Sequence, residues 1–347
     1  MTRLFGREWT REELRKRVGH MDQLAGIRLV EGGDGLARGL RSLRVWTGSG
    51  LTFDVLADRA LDIGACQYKG VPLAWISPVG EAHPAFYEPQ GLGWLRTYGG
   101  GLFVTCGLDH FGGAYDYPEE PVGVHGRISN LPARAVGYRA AWDGDDYLLE
   151  VSGAVRQGRI YGENLLLERR ISSALGSNRI RIEDTVTNEG FAPQRHQITY
   201  HFNLGFPLLN ADTRLNVEVS ETVPHDDVSE RGLAHWRTMQ PPTPGWQQQN
   251  FWHTPVPDEQ GRVTVLLESP ALGLALRWRY SNRWLPYLLE WKSMAEGAYV
   301  LGIEPGNTRG VSGRGAVRDL ADLPHLAPGE RRHYVIDVEV VELLSLI

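Results

Sequence analysis

Residues 179–186 read RIRIEDTV, and in this stretch Ile180, Ile182 and Val186 alternate with polar residues. Successive side chains of a β-strand point to opposite faces, so the alternation predicts a strand with one buried face. The same pattern recurs at residues 149–155, 215–219, 263–267, 274–278, 299–303 and 334–340. Few helical patterns separate these segments, which favours an all-β antiparallel sandwich over β-α-β units.

Turn and loop signals divide the chain between these strands. Gly48-Ser49-Gly50 separates two alternating apolar segments and predicts a hairpin. The strand near Tyr299 is predicted to end at Glu304-Pro305-Gly306, and residues 241–258, rich in Pro and Gln, to form a long loop. Because the strands on both sides of this loop share one pattern, we expect residues 26–347 to form a single domain.

Residues 1–25 are predicted to form an N-terminal helical arm. Thr10 is followed three residues later by Glu13, which matches a capping box, and Gly19 is a suitable helix stop. The segment is charged throughout, so we expect neither a signal peptide nor a membrane anchor.

The composition excludes several classes of protein. The net charge is −6, which disfavours nucleic acid as a partner because phosphate binding needs a basic surface. The sequence has no run of 18 apolar residues and only two cysteines, so we expect a cytoplasmic protein with no membrane partner. Motifs for a P-loop, a zinc protease or a serine hydrolase are absent, and nothing indicates a cofactor or a resident metal.

Short polar patterns at predicted strand ends are candidates for a functional site. Arg59 lies in DRALDIG (58–64), where a guanidinium could donate several hydrogen bonds, and His110 ends the glycine-rich segment 98–110. His125 and Arg127 flank a glycine. His196 and His201 are five residues apart and would face opposite sides of one strand, so we favour only His201.

Glu304 follows an apolar strand and precedes Pro-Gly. Burial would raise the pKa of such a carboxylate toward neutrality, which suits a general base. The chain also has 11 Trp, 13 Tyr and 9 Phe, and aromatic faces can form a floor for a sugar. We choose Trp291 as the stacking residue and its neighbour Lys292 as a substrate contact.

These patterns, in this order along the chain, resemble the aldose 1-epimerase (galactose mutarotase-like) superfamily. More closely, the chain is similar to a bacterial branch described only as a domain of unknown function. The resemblance covers residues 26–342 and rests on five segments: RALDIG (59–64), TCGL (105–108), HGR (125–127), YHFN (200–203) and GIEPG (302–306).

The resemblance implies a large antiparallel β-supersandwich with an open sugar groove. It implies that Glu304 removes the proton from the anomeric hydroxyl and that His201 protonates the ring oxygen. His125 and Arg59 would hold sugar hydroxyls, with Arg127, His110, Lys292 and Trp291 as further substrate-binding candidates. In the family the acid histidine stands in His-x-x-Phe-Asn-Leu, whereas here His201 directly precedes Phe202, and the usual Asn-Arg pair is Asp58-Arg59.

Three functions remain open from the sequence. The first is an aldose mutarotase. The second is an isomerase or epimerase that acts at carbon through an enediol, for which His125 and His201 could hold a divalent metal. The third is a non-catalytic sugar-binding or sensor protein. If Arg59, Arg127, Lys292, Arg309 and Arg314 converge on the site, the sugar would be acidic or phosphorylated. The oligomeric state is not indicated.

Overall fold

The computed structural model describes residues 2–343, which form β-strands, two short α-helices and eight 3-10 turns. The helices are α1 (Arg11–Arg15) and α2 (Asp227–Gly232). The 3-10 turns are Met21–Gln23, Gly35–Ala37, Pro84–Phe86, Gly93–Arg96, Ile128–Asn130, Leu233–His235, Pro270–Leu272 and Leu320–Asp322. None of the helices within this range is long and apolar enough to cross a membrane.

The strands, in chain order, are β1 (Thr2–Leu4), β2 (Arg7–Trp9), β3 (Gly26–Glu31), β4 (Arg41–Trp46), β5 (Leu51–Leu56), β6 (Asp62–Tyr68), β7 (Val71–Pro72), β8 (Trp75–Ile76), β9 (Gly100–Gly101), β10 (Phe103–Cys106), β11 (Tyr115–Asp116), β12 (Pro121–Val122), β13 (Arg134–Asp143), β14 (Asp146–Gly158), β15 (Asn164–Ala174), β16 (Arg179–Asn188), β17 (Gln194–Arg195), β18 (Thr199–Leu204), β19 (Arg214–Val217), β20 (Val219–Pro224), β21 (Gln249–Pro255), β22 (Arg262–Ser269), β23 (Leu274–Ser281), β24 (Tyr287–Ala295), β25 (Ala298–Gly306), β26 (His325–Leu326) and β27 (Arg331–Glu342).

Two large antiparallel sheets form the body of the protein. The first has eleven strands in the order β20-β21-β24-β25-β18-β10-β6-β5-β4-β3, with β7 paired to β6 outside this path. The second has eight strands in the order β13-β14-β15-β16-β27-β23-β22-β19. The predicted all-β antiparallel sandwich is therefore confirmed, as is the hairpin at Gly48-Ser49-Gly50, which joins β4 to β5.

One large hydrophobic core fills the space between the two sheets. Phe103 and Phe202 lie opposite each other on β10 and β18, and Ile303 on β25 continues the row. Across the interface, the ring of Trp278 meets Phe202 edge to face at 5.8 Å between centroids. Each such buried side chain contributes roughly 1.5–3 kcal/mol through the area it removes from water.

A buried charged network also joins the sheets. Arg169 on β15 binds Asp184 on the neighbouring strand at 2.6 and 2.8 Å, and reaches across the core to Asp62 at 3.0 Å. Tyr200 of the larger sheet donates to Asp184 at 2.8 Å, and Thr105 donates to Asp62 at 2.6 Å. Burial raises the pKa of Asp62 to about 6, although the charge of Arg169 opposes that rise.

The N-terminal arm differs from its prediction. The capping box of Thr10 and Glu13 is present, but α1 ends at Arg15 rather than near Gly19. A hairpin of β1 and β2 precedes it, where only helix was expected. Met1 lies outside the described residues. Leu4 and Leu14 are buried in the main core, so the arm packs onto the sandwich.

The prediction of a long loop at residues 241–258 was wrong. The segment 241–258 contains β21, whose residues Phe251, Trp252 and His253 are all buried. A strand covered on both faces has no polar alternation, so its pattern could not be recognised. The predicted end of the strand at Glu304-Pro305-Gly306 is confirmed, since β25 ends at Gly306.

We expect the replacement Arg169→Met to destabilise the protein by about 3–5 kcal/mol, because it leaves the carboxylates of Asp184 and Asp62 buried without a cation. Arg170→Met is the matched control, since Arg170 is half-exposed and its ion pairs with Glu150 and Glu183 lie in water. The free energy of unfolding of Arg170→Met should fall by about 1 kcal/mol or less. Urea denaturation of both variants measures the difference, and equal losses would contradict a structural role for the buried network.

Candidate active site

His201 and Glu304 meet on the face of the eleven-stranded sheet that is turned away from the eight-stranded sheet, which we call the outer face. Their strand neighbours Phe202 and Ile303 are paired and point into the core. Because side chains alternate along a strand, His201 and Glu304 project from the opposite side. Nε2 of His201 lies 3.1 Å from Oε1 of Glu304, and we call this contact the His201–Glu304 pair.

The pair is almost completely removed from solvent. His201 is 3% exposed and Glu304 is 1% exposed. All six residues of β18 are buried, because loops cover the outer face as the second sheet covers the inner one. Gly302 makes room here, since a Cβ at this position would come within 2.9 Å of both Trp291 and Glu304.

Burial determines the electrostatics of the pair. It raises the pKa of Glu304 well above its ordinary value and lowers the pKa of His201 to about 3. Neither shift involves a lysine or arginine, and within residues 2–343 no such residue forms an ion pair with Glu304. Nδ1 of His201 and Oε2 of Glu304 are buried and have no hydrogen-bond partner in the described chain. Two polar atoms are thus available to a ligand.

Aromatic rings surround the histidine of the pair. Trp291 and His125 each lie 5.5 Å from the ring of His201 between centroids, and Tyr98 lies 5.9 Å away. All three meet it at steep interplanar angles. Burial lowers the pKa of His125 well below its ordinary value, and the rings of His201 and His110 lower it further, so we expect His125 to be neutral.

Two further tryptophans, Trp75 and Trp94, extend this group of rings. We call the rings of Trp75, Trp94, Tyr98, His125 and Trp291 the aromatic wall. Trp75 contacts both Trp291 and Tyr98, at 6.1 and 5.9 Å. Trp94 stacks on Tyr98 at 4.3 Å and is held by a hydrogen bond from its indole to Ser129. Trp75 and Trp291 are partly exposed, so the wall reaches the surface. Flat apolar faces beside a polar pair are suited to a sugar ring.

The structure brings together four of the residues chosen from the sequence: His125, His201, Trp291 and Glu304. Lys292 is not among them. It follows Trp291 on β24 and points to the core side, where its Nζ donates to the carbonyls of His235 and Thr238 at 3.0 and 2.7 Å. Neighbouring residues of a strand cannot face the same pocket, so its placement does not support substrate binding.

His110 is also occupied elsewhere. One ring nitrogen contacts the hydroxyl of Tyr117 at 3.0 Å and the other the carbonyl of Gly113 at 2.7 Å. Burial lowers the pKa of His110 to about 4. Both nitrogens are used within the protein, so the placement gives His110 no atom to offer a substrate.

The predicted arginines do not converge on the pair. Arg59 donates to the carbonyl of Ala82 at 3.0 Å and lines a small cavity together with Val104, the residue opposite His201 in the ladder. Arg127 pairs with Glu120 at 3.2 Å. Acidic side chains also hold the remaining two, since Arg309 binds Glu221 and Arg314 binds Asp227 and Glu230.

Sequence reasoning did not select Trp75, Trp94, Tyr98 or Asn203 for the site. Trp75 and Trp94 belong to a segment of turns and two-residue strands that has no periodic pattern. Tyr98 and Asn203 stood inside the quoted motifs, beside the glycine run and after His201, but neither position has a signal that separates it from a core residue.

Within the described residues, one group of three carboxylates could hold a metal ion, and it does not include the histidines considered for this role. Asp109, Glu120 and Glu163 bring carboxylate oxygens within 4.8 Å of one another, and this group includes neither His125 nor His201. Arginines already hold part of it, since Arg127 binds Glu120 and Arg159 binds Glu163.

We expect Glu304→Gln to raise the melting temperature at pH 8 by a few degrees. A carboxyl whose folded pKa is raised contributes stability below its unfolded pKa, near 4.5, and this contribution is lost as pH rises toward the folded value. Glutamine keeps the shape without the charge, so the gain over the wild type should vanish at pH 4. Thermal denaturation across this pH range measures it.

Glu259→Gln removes a carboxylate from an exposed loop position and serves as the control. Its melting temperature should follow that of the wild type at both pH values. A Glu304→Gln variant that is less stable than the wild type at pH 8 would contradict the uncompensated burial of this carboxyl.

Comparisons with known proteins agree with this fold. A "putative aldose 1-epimerase" from Klebsiella pneumoniae subsp. pneumoniae superposes with a TM-score of 0.86 at 27% identity, covering 93% of this chain and 86% of that chain. A galactose mutarotase-like protein from Clostridium acetobutylicum superposes with a TM-score of 0.64 at 13% identity, over 92% and 100% of the chains. The galactose 1-epimerase of Lactobacillus acidophilus NCFM gives 0.57 at 14%, over 92% and 99%.

The architecture is therefore that of the galactose mutarotase-like proteins. A search of curated proteins finds no match. The model of the family described as "Domain of unknown function (DUF4432)" matches residues 37–340, which is most of the sequence, so the chain belongs to that family.

Proposed function

We propose that the protein is an aldose mutarotase, which interconverts the anomers of a free sugar by general acid and base catalysis. The observation that carries the proposal is the His201–Glu304 pair, a base and an acid 3.1 Å apart beside an aromatic wall. The Klebsiella and Lactobacillus proteins described above are named for the same class of reaction.

Burial determines how many protons the His201–Glu304 pair holds. A raised pKa of Glu304 and a lowered pKa of His201 both disfavour net charge, so the pair prefers to hold two protons and to be neutral overall. The shared proton lies either on the carboxyl or on the imidazole, and transfer across the contact converts one form to the other. The form with a carboxylate and an imidazolium is ready for catalysis.

In the proposed reaction Glu304 takes the proton of the anomeric hydroxyl while His201 gives a proton to the ring oxygen. The bond between the anomeric carbon and the ring oxygen breaks, and an aldehyde forms. Rotation about the next carbon–carbon bond presents the other face of the aldehyde. On closure the re-forming ring oxygen returns its proton to His201 and Glu304 returns its proton to the aldehyde oxygen, so both groups recover their starting state and no atom is gained or lost. The anomeric hydroxyl and the ring oxygen are bonded to the same carbon. They can therefore reach Glu304 and His201 at the same time, although these two side chains contact each other.

An uncharged sugar fits this site better than an acidic or phosphorylated one. The predicted cations pair with other carboxylates or bond backbone carbonyls, and within the described residues none of them forms an ion pair with Glu304. An anionic group would be buried beside Glu304 without a counter-ion, which is strongly unfavourable. The aromatic wall instead offers stacking to the apolar face of a neutral sugar ring.

Proton NMR exchange spectroscopy on a panel of free aldoses tests the proposal. The wild type should accelerate the interconversion of α and β anomers, and Glu304→Gln and His201→Gln should each lower the rate by about 10²–10⁴-fold. Glu290→Gln is the matched control. Glu290 also contacts a histidine, His253, at 3.2 Å and is fully buried, but on the core face. This variant should keep wild-type activity.

Wild-type protein that accelerates no aldose would overturn the proposal. Incorporation of solvent deuterium at carbon would then identify the enediol reaction, with and without added divalent metal. Sugar binding that survives in Glu304→Gln would instead indicate a non-catalytic role.

We further expect aldose 6-phosphates and uronic acids to be poorer substrates than the corresponding neutral sugars, with kcat/KM lower by at least about tenfold. The reason is that burying one unpaired charge costs more than about 1.4 kcal/mol of free energy, which corresponds to a factor of about ten. Polarimetry on freshly dissolved anomers measures these constants. A preference for the charged sugars would contradict the assignment of an uncharged substrate.

A further inference from the structure

The side chain of Asn203 has a fixed orientation beside His201. It lies two residues further along β18, so it projects from the same outer face. Its Nδ2 donates to the carbonyls of Gly101 and His201 at 3.0 and 3.2 Å, and its Oδ1 accepts from the hydroxyl of Tyr98 at 2.5 Å. Only the amide nitrogen can donate to two carbonyls, so this arrangement fixes which end is which.

Tyr98 uses its hydroxyl within the protein. The side chain is buried, and its ring packs between Trp94 and the edge of His201. Burial raises the pKa of Tyr98 well above its ordinary value, so the phenol keeps its proton and remains a donor. The hydroxyl is occupied by Asn203 and therefore contributes to the geometry of the site.

The His201 ring has few other restraints. Its Nε2 contacts Glu304, and its Nδ1 has no hydrogen-bond partner within residues 2–343. The backbone carbonyl of His201 is held by Asn203, and the ring is held by packing against Tyr98, His125 and Trp291. Asn203 thus restrains the backbone carbonyl of His201, and Tyr98 restrains its ring. The hydrogen bond from Tyr98 to Asn203 connects these two restraints.

We propose that Tyr98, acting through Asn203, is a positioning residue that holds the imidazole of His201 in line with Glu304. The inference rests on the proposed function, because a proton can pass only between groups within hydrogen-bond reach. A displacement of about 1 Å at a reacting group can lower a rate by about 100-fold. Tyr98 transfers no proton itself.

The variant Tyr98→Phe keeps the ring and removes only the hydroxyl. We expect kcat to fall by about 10–100-fold while KM stays within about twofold, because the lost bond does not touch substrate. Tyr299→Phe is the matched control. Its hydroxyl also donates one hydrogen bond, in this case to the backbone carbonyl of Gln240 at 2.7 Å, but its ring packs against the main core. It should keep wild-type kcat and KM.

A double-variant cycle tests the route through Asn203. In an Asn203→Leu background whose folding is verified by thermal denaturation, Tyr98→Phe should have no further effect on kcat, since the partner is already absent. Additive losses would show that Tyr98 acts by another route and would overturn the inference.

A readout that needs no turnover separates this inference from the proposed function. Ring ¹⁵N shifts of histidine-labelled protein, with the His201 signals assigned through His201→Gln, should change in Tyr98→Phe and stay unchanged in Tyr299→Phe. If the wild type turns over no sugar, the proposed function fails and the shifts alone decide the inference. Unchanged His201 shifts in Tyr98→Phe, or unchanged kcat in an active enzyme, overturn it, as does an equal loss in Tyr299→Phe.

Discussion

The site depends on the burial of β18 and β25 on both faces. Phe202 and Ile303 point into the core between the sheets, and the side chains between them point outward under the covering loops. Strand alternation therefore places His201 and Glu304 side by side on the outer face. The same ladder that builds the hydrophobic core fixes the backbone positions of the acid and the base, and the packed side chains around them restrain the imidazole.

A second pair of the same residues shows what burial alone does not supply. His253 and Glu290 contact each other at 3.2 Å, on β21 and β24. Their side chains lie on the core side, where the Nδ1 of His253 contacts Thr222 at 2.9 Å and the tilted ring of Trp236 packs against the imidazole. Both nitrogens of His253 are used within the protein, whereas His201 retains a nitrogen without a partner beside an aromatic wall that reaches the surface. Position on the sheet, rather than residue type, separates a structural pair from a candidate catalytic one.

Charge is distributed between the two faces in a consistent way. The arginine that enters the core, Arg169, meets two carboxylates there and joins the sheets. Around the His201–Glu304 pair, by contrast, aromatic rings replace cations. A carboxyl buried without a counter-ion tends to keep its proton, so burial raises the pKa of Glu304 well above its ordinary value.

The sequence by itself determined the strand-rich architecture and the identity of the acid and base candidates. Alternation of apolar and polar residues is local information, and β14, β16 and β27 carry it because each has one wetter face. It failed at β21, where both faces are buried, and it did not separate Trp291 from Lys292, although alternation sends their side chains to opposite faces. Only the tertiary structure decided that the arginines pair with carboxylates such as Glu120 and Glu221, and that Trp94 stacks on Tyr98, which packs against His201. Those contacts join residues from loops without periodic pattern to strands far away in the chain, and no local rule of spacing specifies such distances.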